Sequence, residues 1–287
     1  MKPFIFFSCL FFSCLFSTAQ KTDKRLQQQV KELLKGFNGE VGVYVHDLKK
    51  NRVVALQADT VFPTASMVKV PILTGIMRKI ESGELKYHQA LTYKDSLLYA
   101  GVDILGSLKT NEKIEMSKVM MLMLSMSDNT ASLWLQTLAG TGTRINELMD
   151  SLGLPNTKVN SRTPGRESNR TQYGWGQTTP KEMATLMEKI VNKEVISTAA
   201  SDKMLRLLSR NYWDEEAISE IPPDVFIASK SGAVDASRSE VLFVNGKKSK
   251  YILCICTKNN KDTSWEPGNE AWVLTRKLSK LLWEYYN

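Results

Sequence analysis

Apolar side chains recur at Leu26, Val30, Leu33, Leu34 and Phe37, a three- and four-residue spacing that lines one face of a helix. Thr22 and Asp23 ahead of it can cap, and Gly36 and Gly39 behind it can end it. The period then shortens. VGVYVHDL and RVVALQAD alternate apolar with polar residues on either side of KKN, the pattern of two hairpin strands. From about Ser66 to Arg210 helical spacing dominates, in KVMMLMLSMSDNTASLWLQTLAG, TRINELMDSLGL and TTPKEMATLMEKIVNK. The last run opens with Thr179, Pro180 and Glu182, a cap, a first-turn proline and a capping-box acid in register. Three more strand-like runs follow, FIASKSGAV, EVLFVNG and KYILCICTK, and then a helix with Trp272, Leu278, Leu281, Leu282 and Tyr285 on one face.

Strands from both chain ends must therefore meet in one sheet. The pattern predicts an α+β fold, an α/β sandwich in which an antiparallel sheet built from both ends is flanked by helices, with an all-helical lobe inserted. The sheet lobe takes about 20–62 and 212–287, and the helical lobe about 63–211. The first residues, MKPFIFFSCLFFSCLFSTAQ, carry one lysine, a short apolar stretch and small residues before Gln20. They read as a signal peptide over 1–19, so the mature chain is expected to be a single domain, 20–287, secreted or periplasmic, with no membrane span once the signal is removed. Lipidation at Cys14 is disfavoured by the bulky FFS before it.

The formal net charge of +8 over 287 residues comes from lysines and arginines spread along the chain, without a basic cluster interleaved with aromatics. A solvated surface explains it, and no nucleic-acid partner is expected. A monomer is expected. Beyond the signal only Cys254 and Cys256 remain. Two apart on one strand, they face the same way and are poorly placed to bridge, so buried free thiols are expected. His46 and His88 lie far from both cysteines and from any carboxylate motif, and neither a metal nor another cofactor is called for.

Candidate chemistry begins at FPTASMVKVPIL, residues 62–73. A serine hydroxyl needs a base within hydrogen-bond reach to become a nucleophile, and on a helix a residue three positions on shares its face. Lys69 meets that demand for Ser66, and its apolar neighbours Val68, Val70 and Ile72 favour the burial that lowers a lysine pKa. Such a pair also arises by chance. SDN, Ser127 to Asn129, falls in a turn between helical runs, from which Ser127 and Asn129 could enter a cleft; alone it reads equally as a helix cap. KSG, Lys230 to Gly232, lies on a strand with Lys230 and Gly232 on one face, a place where glycine admits close approach, and alone it is an ordinary edge-strand lysine. A Ser-His-Asp arrangement is disfavoured, since no G-x-S-x-G elbow occurs and the two histidines sit in a strand and a polar loop.

Together and in this order, the three motifs resemble those of the penicillin-recognising serine hydrolases, the class A β-lactamases and penicillin-binding proteins. The resemblance extends to FP before Ser66, MSDNTA, TTP at a helix start and KSGA followed by SR. It implies a β-lactamase/transpeptidase-like fold, with Ser66 as the acylated nucleophile and Lys69 as its base or proton relay. Ser127 would pass a proton to the lactam nitrogen and Asn129 would hold the acyl amide. Lys230 and Ser231 would receive the substrate carboxylate, with Arg238 as a second cation. The N–H groups of Ser66 and Ala233, the latter beside Gly232, would form an oxyanion hole.

One departure bears on turnover. Class A β-lactamases hydrolyse the acyl-enzyme with a glutamate in a loop close to R-x-E-x-x-L-N. Here the loop reads NSRTPGRESNRTQYGWGQTTP, and its only acid, Glu167, stands closer to Pro180 than the family interval implies. Counting back by that interval reaches Thr163 and Pro164, and Gly176 stands near the aspartate that usually closes the loop. Glu167 is either a displaced deacylation base or a solvated carboxylate. The expected function is an exported β-lactamase acting on β-lactam amides through a Ser66 acyl-enzyme. The alternatives are a D-alanyl peptidase and a protein that acylates with β-lactams and releases them slowly.

Overall fold

The computed structural model describes residues 20–101 and 103–287. The signal-peptide reading, with Cys9 and Cys14, lies outside the described residues.

Six strands form the main sheet, in the spatial order Lys21–Thr22, Arg52–Leu56, Glu40–Asp47, Lys250–Lys258, Ser237–Asn245, Phe226–Val234. All neighbours pair antiparallel except the two-residue first strand, which runs parallel to Arg52–Leu56. The α+β expectation holds, and both chain ends contribute to one sheet. The inserted lobe, expected to be all-helical, also carries short paired strands, Ala90–Thr92 with Lys113–Glu115 and Lys158–Val159 with Gly176–Thr178. The predicted second hairpin strand is shorter than the alternation suggested, ending at Leu56. Gln57 there takes a left-handed φ of +45°, which turns the chain out of the pleat.

Alternation sorts the strand residues onto two faces. On one, Val43, Val45, Leu253 and Ile255 pack with Leu26 and Val30 of the N-terminal helix, Lys24–Leu33, and with Leu274, Leu278 and Leu282 of the C-terminal helix, Glu270–Tyr286. On the other, Tyr44, Ile252, Cys254, Cys256, Val241 and Phe243 meet the helical layer through Met183, Met187, Met67 and their neighbours. Both cysteines are buried free thiols on this second face, their sulfurs 3.8 Å apart.

Local sequence explains where the helices start. Asp23 accepts from Leu26 N and ends the short leading strand, and Thr179 accepts from Glu182 N with Pro180 in the first turn. The capping box expected there is only half realised. The Glu182 carboxylate turns outward to take the backbone N–H and side-chain amide of Asn156 and the hydroxyl of Thr157. It ties the preceding loop to this helix instead of closing its own cap.

Candidate active site

Ser66 lies in a single 3-10 turn, Ala65–Val68, that runs directly into the helix Lys69–Glu81. In a 3-10 turn residues three apart eclipse each other, so Ser66 and Lys69 are aligned more closely than α-helical spacing would give. Lys69 Nζ stands 3.0 Å from Ser66 Oγ. It also contacts Ser127 Oγ at 2.9 Å, the Ser127 carbonyl at 2.6 Å and Asn129 Oδ1 at 3.1 Å. The first and second motifs thus converge on one amine.

The SDN turn joins the helices Met116–Ser125 and Asn129–Leu138, and its three residues divide the work. Asp128 is wholly buried and caps the second helix through Ala131 N, while its other oxygen accepts from Ile104 and Leu105 N–H. Capping, one of the two readings the triplet allowed, describes Asp128 alone. Ser127 adopts φ +58° and Ala65, just before Ser66, φ +43°. Left-handed backbone is uncommon for residues other than glycine and collects at functional sites. Nothing in the sequence marks these two positions, since neither residue type favours that conformation.

The KSG strand, Phe226–Val234, is the sheet edge beside the Ser66 turn. Gly232 is what lets them touch: a Cβ placed there would lie 2.5 Å from the Thr64 carbonyl oxygen and 2.7 Å from Ser66 N. No side chain fits that gap, which is why glycine closes the triplet. Ser239, paired with Gly232 across the neighbouring strand, donates to the same Thr64 carbonyl at 3.0 Å.

Lys69 and Lys230 are both fully buried. Two desolvated ammonium groups in one site are costly, and the pKa of each moves to relieve that cost. Burial, and then the nearby charge of Lys230, hold Lys69 well below the usual lysine range, against a smaller opposing pull from Asp128. Burial pushes Lys230 down to about 8, with Glu240 acting the other way. Lys230 donates to the Ser231 carbonyl at 2.7 Å. The shift favours the neutral form of Lys69 relative to an exposed lysine, with Lys230 as the other buried amine of the site.

Ser66, Lys69, Ser127 and Asn129 are therefore joined by hydrogen bonds, and Gly232, flanked by Lys230, Ser231 and Ala233, brings the strand against Ser66. Two expected members stand apart. Arg238 pairs with Ala233 in register, on the face opposite Gly232 and Ser239. Its guanidinium lies between the rings of Trp265 and Trp272, 4.6 and 4.7 Å from their centroids, and donates to the carbonyls of Val234 and Ser264. The alternation of the strand turns it away from Ser66, and it packs against these tryptophans instead. Glu167 begins a short exposed helix, Glu167–Tyr173, and accepts from Gly165 N–H at 3.1 Å. Among the described residues, no carboxylate pairs with Lys69 or Lys230 within salt-bridge distance.

The loop around Glu167 is held without the usual arginine–aspartate pair. Arg166 donates to Asn160 Oδ1 at 2.8 Å and to Gln177 Oε1 at 2.7 Å, and Asn169 reaches the same Gln177 oxygen. Neutral amides thus take the acceptor role of the aspartate missing at Gly176. Sequence spacing could not reveal this substitution, because Asn160 and Gln177 are ordinary polar residues until the loop folds.

A family model described as the Beta-lactamase enzyme family matches residues 25–286. A β-lactamase of Streptomyces fradiae is 22% identical over 267 residues, covering 89% of this chain and 79% of the relative. One from Aeromonas hydrophila is 22% identical over 232 residues, covering 80% and 76%. Among solved structures, PBP-A superposes with a TM-score of 0.83 at 24% identity over 94% of this chain and 98% of that one. A β-lactamase from Chitinophaga pinensis gives 0.82 at 19% identity over 92% and 100%. At these identities the structures speak for the fold, while the family match spans nearly all of the described chain: this protein belongs to the β-lactamase enzyme family.

Proposed function

We propose that this protein is an exported active-site serine enzyme that takes the acyl group of β-lactams onto Ser66 and releases it slowly. The observation that carries the reading is the Lys69 amine, buried and shared between Ser66 and Ser127. Neutral Lys69 accepts the Ser66 proton as Oγ attacks the lactam carbonyl. The N–H groups of Ser66 and Ala233 receive the developing oxyanion, a contribution of about 10²- to 10³-fold in rate. Ser127 delivers a proton to the departing nitrogen and is reprotonated through Lys69. Asn129 orients the acyl amide, and cationic Lys230 with Ser231 binds the substrate carboxylate.

Slow release is supported by the position of Glu167, exposed and occupied with its own loop. Hydrolysis of the ester needs a base that orients a water, worth about 10²- to 10⁴-fold. The structural relative PBP-A was solved as a penicillin-G acyl-enzyme in a mutant form, which fits a site of this shape holding such an adduct. D-Alanyl peptides, whose amide and carboxylate are similarly arranged, are the alternative substrates. The mature chain from Gln20 is taken to be one catalytic unit.

Labelling with a fluorescent penicillin tests the assignment. The wild-type protein should be labelled covalently and the Ser66→Ala protein should not. Equal labelling of both would remove Ser66 from its role. Ser66 is the only serine in the chain followed by lysine at the third position, so no substitute nucleophile of this kind exists.

A further inference from the structure

The segment after the last helix of the helical layer, Thr198–Leu208, crosses from the SDN turn to the KSG strand and is pinned at both ends. At the SDN turn, Tyr212 N–H donates to the Ser125 carbonyl at 3.1 Å and Trp213 Nε1 donates to the Met126 carbonyl at 3.0 Å. At the strand, Asn211 Nδ2 donates to Ser229 Oγ at 3.0 Å. The anchors are the two residues before Ser127 and the one before Lys230. The peptide groups on both sides of Ser127 are thereby fixed, that of Met126 by the Trp213 indole and its own by Lys69.

Both rings that this bridge carries keep surface facing solvent. Tyr212 is 59% exposed and Trp213 38% exposed, and they meet edge to face with centroids 5.2 Å apart. Two large aromatic side chains left in solvent need a reason, and here the reason is position. If Ser127 hands its proton to the departing nitrogen and Lys230 holds the carboxylate, the part of the substrate beyond the scissile bond lies nearest these two residues. The bridge that links them borders that half of the substrate.

We propose that Tyr212 and Trp213 form the wall of the leaving-group subsite, selecting substrates that carry a flat apolar group beyond the scissile nitrogen. This rests on the acylation of Ser66 proposed above. The indole N–H fixes where the wall stands, and the ring faces make the contact. An aromatic contact of this kind is worth about 0.5–1.5 kcal/mol, or roughly 2- to 12-fold in rate.

The test compares second-order acylation constants for two cephalosporins that share one acyl side chain and bear either a methyl or a styryl group at ring position 3. Two penicillins differing only in the acyl side chain serve as the control. The styryl-to-methyl ratio should be about 3- to 10-fold higher in the wild type than in Tyr212→Ala or Trp213→Ala, with the penicillin ratio unchanged. Trp213→Phe, which keeps a ring and loses the N–H, should retain part of the preference. A merely structural role would lower all four constants together and leave both ratios alone, and that result would overturn the proposal. Should Trp213→Ala fail to fold, Tyr212→Ala decides, because its ring is mostly in solvent. Wild-type acylation with ratios that no variant alters refutes the subsite alone, whereas absence of any wild-type adduct refutes the functional reading and the subsite with it.

Discussion

Lys69 Nζ lies 2.9 Å from Ser127 Oγ while holding Ser66 Oγ at 3.0 Å, so a single buried amine connects the residue that would attack with the residue that would protonate the leaving group. A proton taken from one serine has a two-step path to the other. The same amine contacts Asn129 Oδ1, and Ser127 meets it from a left-handed backbone conformation.

Replacing the amine should separate acylation from binding. Lys69→Met keeps a side chain of similar length in a fully buried position and removes the base. We expect the acylation constant to fall by about 10²- to 10⁴-fold, with secondary structure by circular dichroism unchanged. A loss under 10-fold would mean that another group accepts the Ser66 proton.

Gly232 tests the contact between strand and nucleophile. In Gly232→Ala the methyl would meet the Thr64 carbonyl oxygen and the Ser66 backbone nitrogen well inside contact distance, and both are backbone atoms that cannot rotate aside. The variant should lose ~1–3 kcal/mol of stability in denaturant titration. Its acylation rate should fall by more than about tenfold, because the displaced atom is the nucleophile's own amide. Normal acylation would show that the oxyanion site does not depend on this approach.

Titration of Lys230 sets the upper pH limit. Carboxylate binding needs the cation, and burial holds this lysine at about 8 in the free protein. The second-order acylation constant should therefore decline as pH rises through about 8. Lys230→Arg, always charged, should remove the alkaline decline even if the plateau is lower. A profile flat to pH 10 in the wild type would exclude Lys230 as the carboxylate ligand.

His46 provides a pH-dependent tie far from the catalytic chemistry. Its Nδ1 lies 2.9 Å from Glu188 Oε2, joining the sheet to the helix Pro180–Val191. Burial alone would lower its pKa, but the hydrogen bond and charge of Glu188 outweigh burial and raise it. A group raised on folding contributes stability that is fully present below its unfolded pKa and is lost as pH rises through the folded one. The melting temperature should thus decline across neutral pH for this reason, and His46→Gln should flatten that part of the curve. Parallel curves for the two proteins would show that the pair does not titrate as described.

Periodicity made most of the architecture legible. KYILCICTK reads as a strand over 250–258 and forms one over those same residues, because a short unbroken apolar run bounded by lysines suits a strand packed on both faces. The three motifs were legible because each needs fixed local spacing: a turn for Ser66 and Lys69, a helix junction for SDN, a strand for KSG. What depends on which face a residue meets across the sheet was not. SR follows KSG in sequence, yet one step of alternation sends Arg238 to the tryptophans behind the sheet. Loop residues were the least legible. Glu167 sits in the expected loop, but that loop is folded by amides of Asn160 and Gln177, whose pairing has no signature in the chain.

The account turns on the fate of the acyl-enzyme, which intact-protein mass spectrometry with benzylpenicillin follows directly, alongside product release. The account predicts a burst of about one equivalent, an adduct persisting for minutes in the wild type, and the same lifetime in Glu167→Gln, since that carboxylate faces solvent and its own loop. Sustained turnover in the wild type that collapses to a burst in Glu167→Gln would contradict it, making Glu167 the deacylation base.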